Sequence, residues 1–313
     1  GDFSIENIRL KPISVRSRND YMSGSIDTIA IKGLLYDKGI SAGLFKIDRP
    51  NLRYNKAPSY NKVNKEQKMP VDTRADIEGI LNPLLQYLSI KQIRLNHAFV
   101  TLNDRSVPDP VVYKLKDFNF YATDFLIDDS TNRSNGLFFQ CDNLGFSLKD
   151  FDNYLPGKEY RLSIRKGEFS TVKGVLQLQD IKLLPEETDR QKGKTFVRFS
   201  SPELRISGLK RIPERPDRNI RLTSFQVDSP DIRVLKPDGG GLSASLGRLA
   251  LDGISWDSTS LKLGTIWLES PVADIYPGRY PDTLSRKAKA APVDLYATLG
   301  KIAGEISLDR FSL

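Results

Sequence analysis

The chain has 313 residues and a net charge of +8 at pH 7, with 39% apolar and 27% charged side chains. This apolar content is too high for a disordered chain, and no stretch approaches the roughly 18 uninterrupted apolar residues that a membrane-spanning helix needs. One cysteine, Cys141, excludes an internal disulfide, and one histidine, His97, leaves almost nothing from which to build a zinc site.

The distribution of proline and glycine predicts an all-β fold. Eighteen prolines and twenty-two glycines interrupt the apolar stretches at short intervals along the whole chain. Such punctuation is typical of many short strands rather than of long helices.

A short phrase recurs along the chain. It begins as PNLRY at Pro50 and returns as PELRI at Pro202, as PDIRV at Pro230 and, more loosely, as PVADIY at Pro271. Proline cannot donate a ladder hydrogen bond, so a proline at a fixed place in a strand marks an edge or a bulge. The phrase therefore predicts a strand, a break at the proline and a second strand.

Two segments are predicted to form short amphipathic helices, at residues 73–89 and 295–303. Each follows a Pro-Val-Asp sequence whose aspartate, Asp72 or Asp294, is a plausible N-cap, and each has apolar residues three and four apart. A strand is predicted after each helix.

The two helical segments belong to a longer internal match. Related units at 31–104 and 251–313 flank a strand-rich middle at 105–250, and the whole chain is predicted to be a single repeat array. Because the second match stops in mid-strand at Leu313, we expect the array to continue in a longer protein.

Alternation of apolar and polar residues predicts strands with one dry face and one wet face. Tyr160, Leu162 and Ile164 point one way, and the residues between them point the other. The predicted architecture is an elongated, twisted antiparallel sheet that is curled into an open groove or a closed solenoid. The same alternation recurs at Phe118 and Phe120, Phe146 and Leu148, Ile220 and Leu222, and Leu261 and Leu263.

The common catalytic motifs are absent from the sequence. There is no Gly-x-Ser-x-Gly elbow, no phosphate-binding loop and no His-Glu-x-x-His helix. His97 lies on a predicted strand without a recognisable nucleophile, and Cys141 is interpreted as a small packed hydrophobe. No RNA-recognition signature accompanies the aromatic residues. We therefore predict a protein that is not an enzyme, with no cofactor, metal or nucleic-acid partner.

Three phrases resemble the AsmA-like family of bacterial envelope proteins, the TamB- and YhdP-related members of the repeating-β-groove lipid-transfer group. They are LSIKQIRLNHAFVTLND at Leu88–Asp104, IRLTSFQVDSPDIRVLKP at Ile220–Pro237 and GTIWLESPVADIY at Gly264–Tyr276. The stretch Leu155–Pro185 also resembles large proteins of the Bacteroides group. The resemblance implies a sheet curled into a gutter, an apolar inner face that holds acyl chains, a periplasmic body and an inner-membrane anchor upstream.

Two hypotheses of function follow. In the first, the chain handles phospholipid or another envelope lipid through an apolar groove, for which Phe45, Ile47, Phe118 and Phe120 are the candidate lining residues, and it supports outer-membrane homeostasis. In the second, the chain is a structural or adhesive β-repeat protein in which the same apolar face is a closed core and basic loops bind a partner. The net charge of +8 favours contact with anionic surfaces under either hypothesis.

Overall fold

The computed structural model describes residues 1–12, 20–56, 87–105, 111–128, 140–155, 159–186, 195–208, 210–211, 220–237, 239–256, 260–276 and 305–312. These residues form twenty strands and no helix, so the predicted all-β class is confirmed for the described part of the chain. They divide into two compact units. Unit 1 comprises Gly1–Asn153 with Ser170–Val172, and unit 2 comprises Tyr154–Phe169 with Lys173–Leu313.

Unit 1 is a mixed sheet in which β2 pairs with β1 on one side and with β5 and β6 on the other. Strand β7 then pairs with β4, β5 and β6 in parallel and with β8 antiparallel, and β8 pairs with β9. The strands are β1 (Phe3–Leu10), β2 (Tyr21–Lys32), β3 (Leu35–Tyr36), β4 (Ile40–Ala42), β5 (Leu44–Asp48), β6 (Asn51–Lys56), β7 (Tyr87–Asp104), β8 (Val111–Asp128) and β9 (Asn143–Tyr154).

Unit 2 has a similar pattern of strand pairing. Strand β12 pairs with β11 on one side and with both β14 and β15 on the other, and those two pair with β17 and β16. Strands β18 and β19 follow, and β20 pairs with β18 in parallel. The strands are β10 (Tyr160–Ser170), β11 (Val175–Pro185), β12 (Phe196–Ser207), β13 (Lys210–Arg211), β14 (Ile220–Asp228), β15 (Asp231–Leu235), β16 (Gly241–Ser245), β17 (Arg248–Trp256), β18 (Ser260–Glu269), β19 (Val272–Tyr276) and β20 (Glu305–Ser312).

The prediction of a purely antiparallel sheet is wrong. Strand β7 lies parallel to β5, with Phe45 opposite Ile93, and β20 lies parallel to β18, with Leu263 opposite Leu308. Parallel neighbours need a long connection, and residues 57–86 and 277–304 are long enough to provide one.

The helix predicted at 73–89 is wrong at its end, and the rest of both helices lies outside the described residues. Tyr87–Ser89 belong to β7, where Leu88 pairs with Ile40 of β4. Leu88 and Ile90 are two residues apart, a spacing that is typical of a strand. The apolar spacing of this segment therefore fits a strand as well as a helix, and the strand pairing decides between the two.

Three of the four predicted proline breaks are confirmed. Strands end before Pro50, Pro230 and Pro271 and resume directly after them. Pro230 is the largest completely buried side chain among the described residues. The residue before each of the three prolines has a positive φ, between 40° and 49°.

At Pro202 the predicted break is wrong, because β12 runs through it. The hydroxyl of Ser201 donates to the carbonyl of Asp228 at 2.7 Å and accepts the amide of Glu203 at 3.2 Å. The Ser201 hydroxyl thus links β12 to β14 beside the proline. The break appears in the neighbouring strand instead, between β14 and β15.

Positive-φ residues form a line across unit 1, which we call the crease. It runs from Arg49 between β5 and β6 through His97 in β7 and Asp117 in β8 to Asp150 in β9. The amide of Arg49 donates to the carbonyl of Asn96 at 2.8 Å, so the ladder between β5 and β7 holds up to the crease. A left-handed residue in an extended strand acts as a bulge, adding one residue and increasing the local twist.

The apolar residues of β4, β5, β6 and β7 are not spaced strictly by two. In β4, β5 and β6 their spacing widens from two to three at Gly43 and again at Arg49, which keeps apolar residues opposite each other on both sides of the crease. The seven positions are Ile40, Ala42, Phe45, Ile47, Pro50, Leu52 and Tyr54, and the matching seven in β7 are Leu88, Ile90, Ile93, Leu95, Ala98, Val100 and Leu102.

Candidate functional site

Two rows of apolar side chains cross all six principal strands of unit 1. Residues that pair across neighbouring strands project to the same face of a sheet, so each row shares one face, which we call the apolar face. The first row is Phe3, Ile31, Phe45, Ile93, Ala122 and Leu144, and the second is Ile5, Ile29, Ile47, Leu95, Phe120 and Phe146.

The apolar face of unit 1 is only partly covered. Phe3 and Ile5 on β1 are 50% and 44% exposed, and the other members of the two rows are half-buried, apart from the buried Ala122. Among the described residues, the buried apolar side chains of the whole chain are few, and none is larger than isoleucine. The apolar rows therefore line a surface rather than fill a thick core.

All four predicted lining residues lie on this face. Phe45 and Ile47 occupy the two rows on β5, and Phe120 belongs to the row of Ile47, with Leu95 between them. Phe118 reaches the same face, since its ring centre lies 6.1 Å from that of Phe146. All four side chains are half-buried.

Sequence reasoning missed most of the remaining members of the face. Ile29 and Ile31 of β2 and Ile93 and Leu95 of β7 continue the rows, and each pair is spaced by two as in the predicted strands. The signal was present in their spacing, but only the pairing register assigns them to the same rows as Phe45.

Unit 2 has an apolar face of its own. One row there is Leu178, Leu204, Val227, Leu249 and Leu268, and a second is Leu176, Ile206, Phe225, Leu251 and Ile266. These side chains are half-buried except Val227, which is buried. Both units thus combine partial exposure with unbroken apolar rows.

The opposite face of unit 1, the polar face, carries ion pairs instead. The Lys46 ammonium lies 2.7 Å from the Asp48 carboxylate, which also accepts a bond from the Asn96 side chain at 2.7 Å. Partial burial by itself would raise the pKa of Asp48, but the bonds from Lys46 and Asn96 outweigh it and lower that pKa.

Asp117 binds Lys149 and His97 on this face. Its carboxylate lies 2.7 Å from Lys149 Nζ and 2.6 Å from His97 Nδ1, and the bond from Lys149, followed by that from His97, lowers the pKa of Asp117. The His97 side chain is 64% exposed. His97 therefore belongs to an exposed ion-pair cluster, which agrees with its interpretation as an exposed or structural histidine.

Cys141 is half-buried, and burial, followed by the neighbouring Asp142, raises the pKa of its thiol. A raised pKa lowers the fraction of reactive thiolate. Within the described ranges, no group of three or more His, Cys, Asp or Glu residues is arranged to hold a metal ion, and no helix is long and apolar enough to cross a bilayer.

Comparisons with protein-family profiles, with curated proteins and with solved structures found no match to this chain. The resemblance to the AsmA-like family stays a prediction that rests on the three phrases quoted above.

Proposed function

We propose that this chain is a non-enzymatic cell-envelope protein that handles phospholipid or another envelope lipid on the apolar face of unit 1. The observation that carries the proposal is the pair of apolar rows that cross six strands without a polar residue and remain partly exposed. Acyl chains are the ligands that gain most from such a surface, because covering it removes apolar area from water.

The magnitude of this effect is adequate for binding. Each 40 Å² of apolar surface removed from water contributes about 1 kcal/mol, at roughly 25 cal/mol per Å². Eleven of the twelve positions in the two rows carry partly exposed apolar side chains and offer several such increments. Monomeric soluble proteins rarely leave contiguous apolar patches of this kind uncovered.

The partial exposure favours lipid handling over the structural or adhesive alternative. A closed core would bury the rows on the inside of a solenoid or sandwich, whereas the ends of both rows, at Phe3 and Ile5, are about half exposed. The proposed location is the periplasm, with an inner-membrane anchor supplied by another part of the protein, as the resemblance implies.

The decisive experiment uses photo-crosslinking at adjacent residues of opposite faces. The photoreactive residue p-benzoylphenylalanine replaces Phe120 on the apolar face or Tyr121 on the polar face, in protein produced in bacterial envelopes. Both native side chains are half-buried aromatics of similar size. We expect lipid adducts, identified by mass spectrometry after irradiation, at position 120 and not at position 121.

A second pair of sites repeats the test on β5, with Ile47 as the apolar-face site and Lys46 as its control. Lipids that co-purify with the native protein are extracted with organic solvent in parallel and compared with those of a closed β-solenoid of similar size and charge. Equal adduct yields on both faces, or an extract with no phospholipid above the solenoid control, would refute the proposal.

Charged substitutions test whether the same face binds lipid. Phe45→Glu and Phe118→Glu are expected to lower the amount of co-purified lipid severalfold, because a carboxylate on the apolar face must be desolvated when an acyl chain covers it. Ala30→Glu is the matched control, since Ala30 lies opposite Lys46 on the polar face. Circular dichroism checks that all three variants keep their strands.

A further inference from the structure

Trp267 stands out on the polar face of unit 2. Its neighbours in β18, Ile266 and Leu268, belong to the apolar rows, so Trp267 projects to the opposite side of the sheet. There it is 46% exposed. The indole ring is therefore open to solvent at a strand position where alternation assigns a polar residue.

The strand register surrounds Trp267 with polar groups. Ala250 lies directly opposite it on β17, and Gln226 lies beyond Ala250 on β14. Two further rows border this apolar floor, one on each side. The first is Asp228, Arg248 and Glu269, and the second is Ser224, Asp252, Thr265 and Arg310.

The small side chain of Ala250 leaves room beside the indole ring. The result is an open depression of about 500 Å³, lined by Arg248, Ala250, Trp267, Leu268, Glu269 and Ser270. The Arg310 guanidinium lies 5.8 Å from the centre of the indole ring, a cation–π distance that helps to hold the ring in place. Arg248 is held by a bond from its Nε to Asp228 at 3.2 Å.

The charges of the two rows argue against an anionic ligand. The rows contain two guanidinium groups and three carboxylates, a formal sum of 2 − 3 = −1. A phosphate or a nucleic-acid backbone would meet this negative balance, while a neutral ligand would not. The available chemistry is a flat aromatic floor with hydrogen-bond donors and acceptors along two sides.

We propose that this patch binds one sugar ring of a neutral glycan. A pyranose has an apolar C–H face that stacks on an indole and hydroxyl groups around its edge that bond carboxylates, amides and guanidinium groups. The depression provides both, because Trp267 and Ala250 form the floor and Arg248 and Glu269 form one side. The site belongs to unit 2, on the side of the sheet away from that unit's own apolar rows, whereas the lipid proposal concerns unit 1, so the two proposals are independent.

The test is a titration with the trisaccharides of N-acetylglucosamine, glucose, galactose and mannose, read by tryptophan fluorescence and by calorimetry. The chain has two tryptophans, so a Trp256→Phe background isolates the signal of Trp267. We expect saturable binding of at least one of these sugars, with a shift in Trp267 emission. Trp267→Ala should weaken that binding at least tenfold.

Two more variants separate stacking from nonspecific effects. Ala250→Leu keeps the indole but fills the space beside it, and it should also weaken binding at least tenfold. Tyr36→Ala removes an aromatic side chain of unit 1 that is 73% exposed, and it should leave the affinity within twofold. The proposal is overturned if none of the four sugars binds, if Trp267→Ala binds as well as the parent, or if inorganic phosphate competes with the sugar.

Discussion

The two units use the same construction, but the strand after Pro50 in unit 1 and the strand after Pro271 in unit 2 differ in how they are covered. In unit 1, β7 runs alongside both β5 and β6, so the segment that follows Pro50 has a neighbour on each side. In unit 2, among the described residues, β20 pairs with β18 and only β16 pairs with β19. All five residues of β19 are exposed, Ile275 at 80%, whereas Leu52 and Tyr54 of β6 are half-buried.

This difference shows what determines the exposure of a strand in these sheets. β19 has three large apolar side chains among its five residues and β6 has two among its six, and both strands follow a proline at a kink. The strand with two neighbours is nevertheless protected, while the strand with one is open. Lateral pairing, more than composition, therefore decides how exposed these two strands are.

The largest effect on the free energy of unfolding is expected from placing a charge at a buried position of β7. Ala98 lies in β7 next to the crease and is 0% exposed, whereas Ala273 in β19 is exposed. We expect Ala98→Asp to lower the free energy of unfolding by about 3 kcal/mol, because the carboxylate has no buried partner. Ala273→Asp should change it by less than about 0.5 kcal/mol. Urea denaturation of both variants measures this, and equal losses would contradict the comparison.

Hydrogen exchange should separate the same two strands in the native protein. Amides of Asn51–Lys56 are expected to exchange at least about tenfold more slowly than those of Val272–Tyr276, since an edge strand leaves alternate amides without a partner. Mass spectrometry of peptic fragments gives both rates from one sample. Similar protection in the two strands would mean that β19 has a neighbour in solution.

A backbone substitution tests the kinks. Ser229 has a φ of 40° before the buried Pro230, and Ser270 has a φ of 49° before the exposed Pro271. Ser229→Val should cost about 1–2 kcal/mol, because a β-branched side chain clashes in the left-handed region. Ser270→Val should cost less, since β19 can shift at little loss. Ser229→Gly serves as the control and should not destabilise the fold in thermal melts.

The smallest effect concerns pH. The pKa of Asp117 lies below its ordinary value of 3.8 because Lys149 and His97 bind its carboxylate. A depressed pKa contributes stability above the unfolded value, and that stability disappears as pH falls through the folded value. The stability difference between the wild type and Asp117→Asn, below about 1 kcal/mol for an exposed pair, should therefore be present at pH 6, decline as the pH falls below 3.8 and vanish below the folded pKa. A difference that persists at lower pH would contradict the assignment.

Sequence alone predicted the strands and three proline breaks, because alternation and the missing proline donor are local properties. It did not predict the parallel pairing of β7 with β5, since nothing local specifies a partner 48 residues away. The left-handed residues also escaped it, because Arg49, His97 and Ser229 carry no turn signature of the kind that glycine gives.

The predicted lining residues Phe45, Ile47, Phe118 and Phe120 share one face. Alternation alone could assign each residue to a face only within its own strand. The cluster around Trp267 was missed, although its signal was visible: in Ile266-Trp267-Leu268 the tryptophan occupies the position that alternation assigns to a polar residue. Its polar neighbours come from three other strands, and only the register brings them together.

The uneven spacing of the apolar residues in β4, β5, β6 and β7 also favours one alignment of these strands. In a strand with strict alternation, a slip of two residues returns every apolar side chain to an apolar partner, so the error carries little penalty. With the observed steps of two and three, the seven apolar positions from Ile40 to Tyr54 all meet apolar partners at the native offset of 48. A slip of two residues in either direction keeps only four of the seven matches, and a slip of one keeps at most two. The uneven spacing therefore also disfavours misaligned forms of this sheet. It limits mispairing of the strands while the sheet assembles.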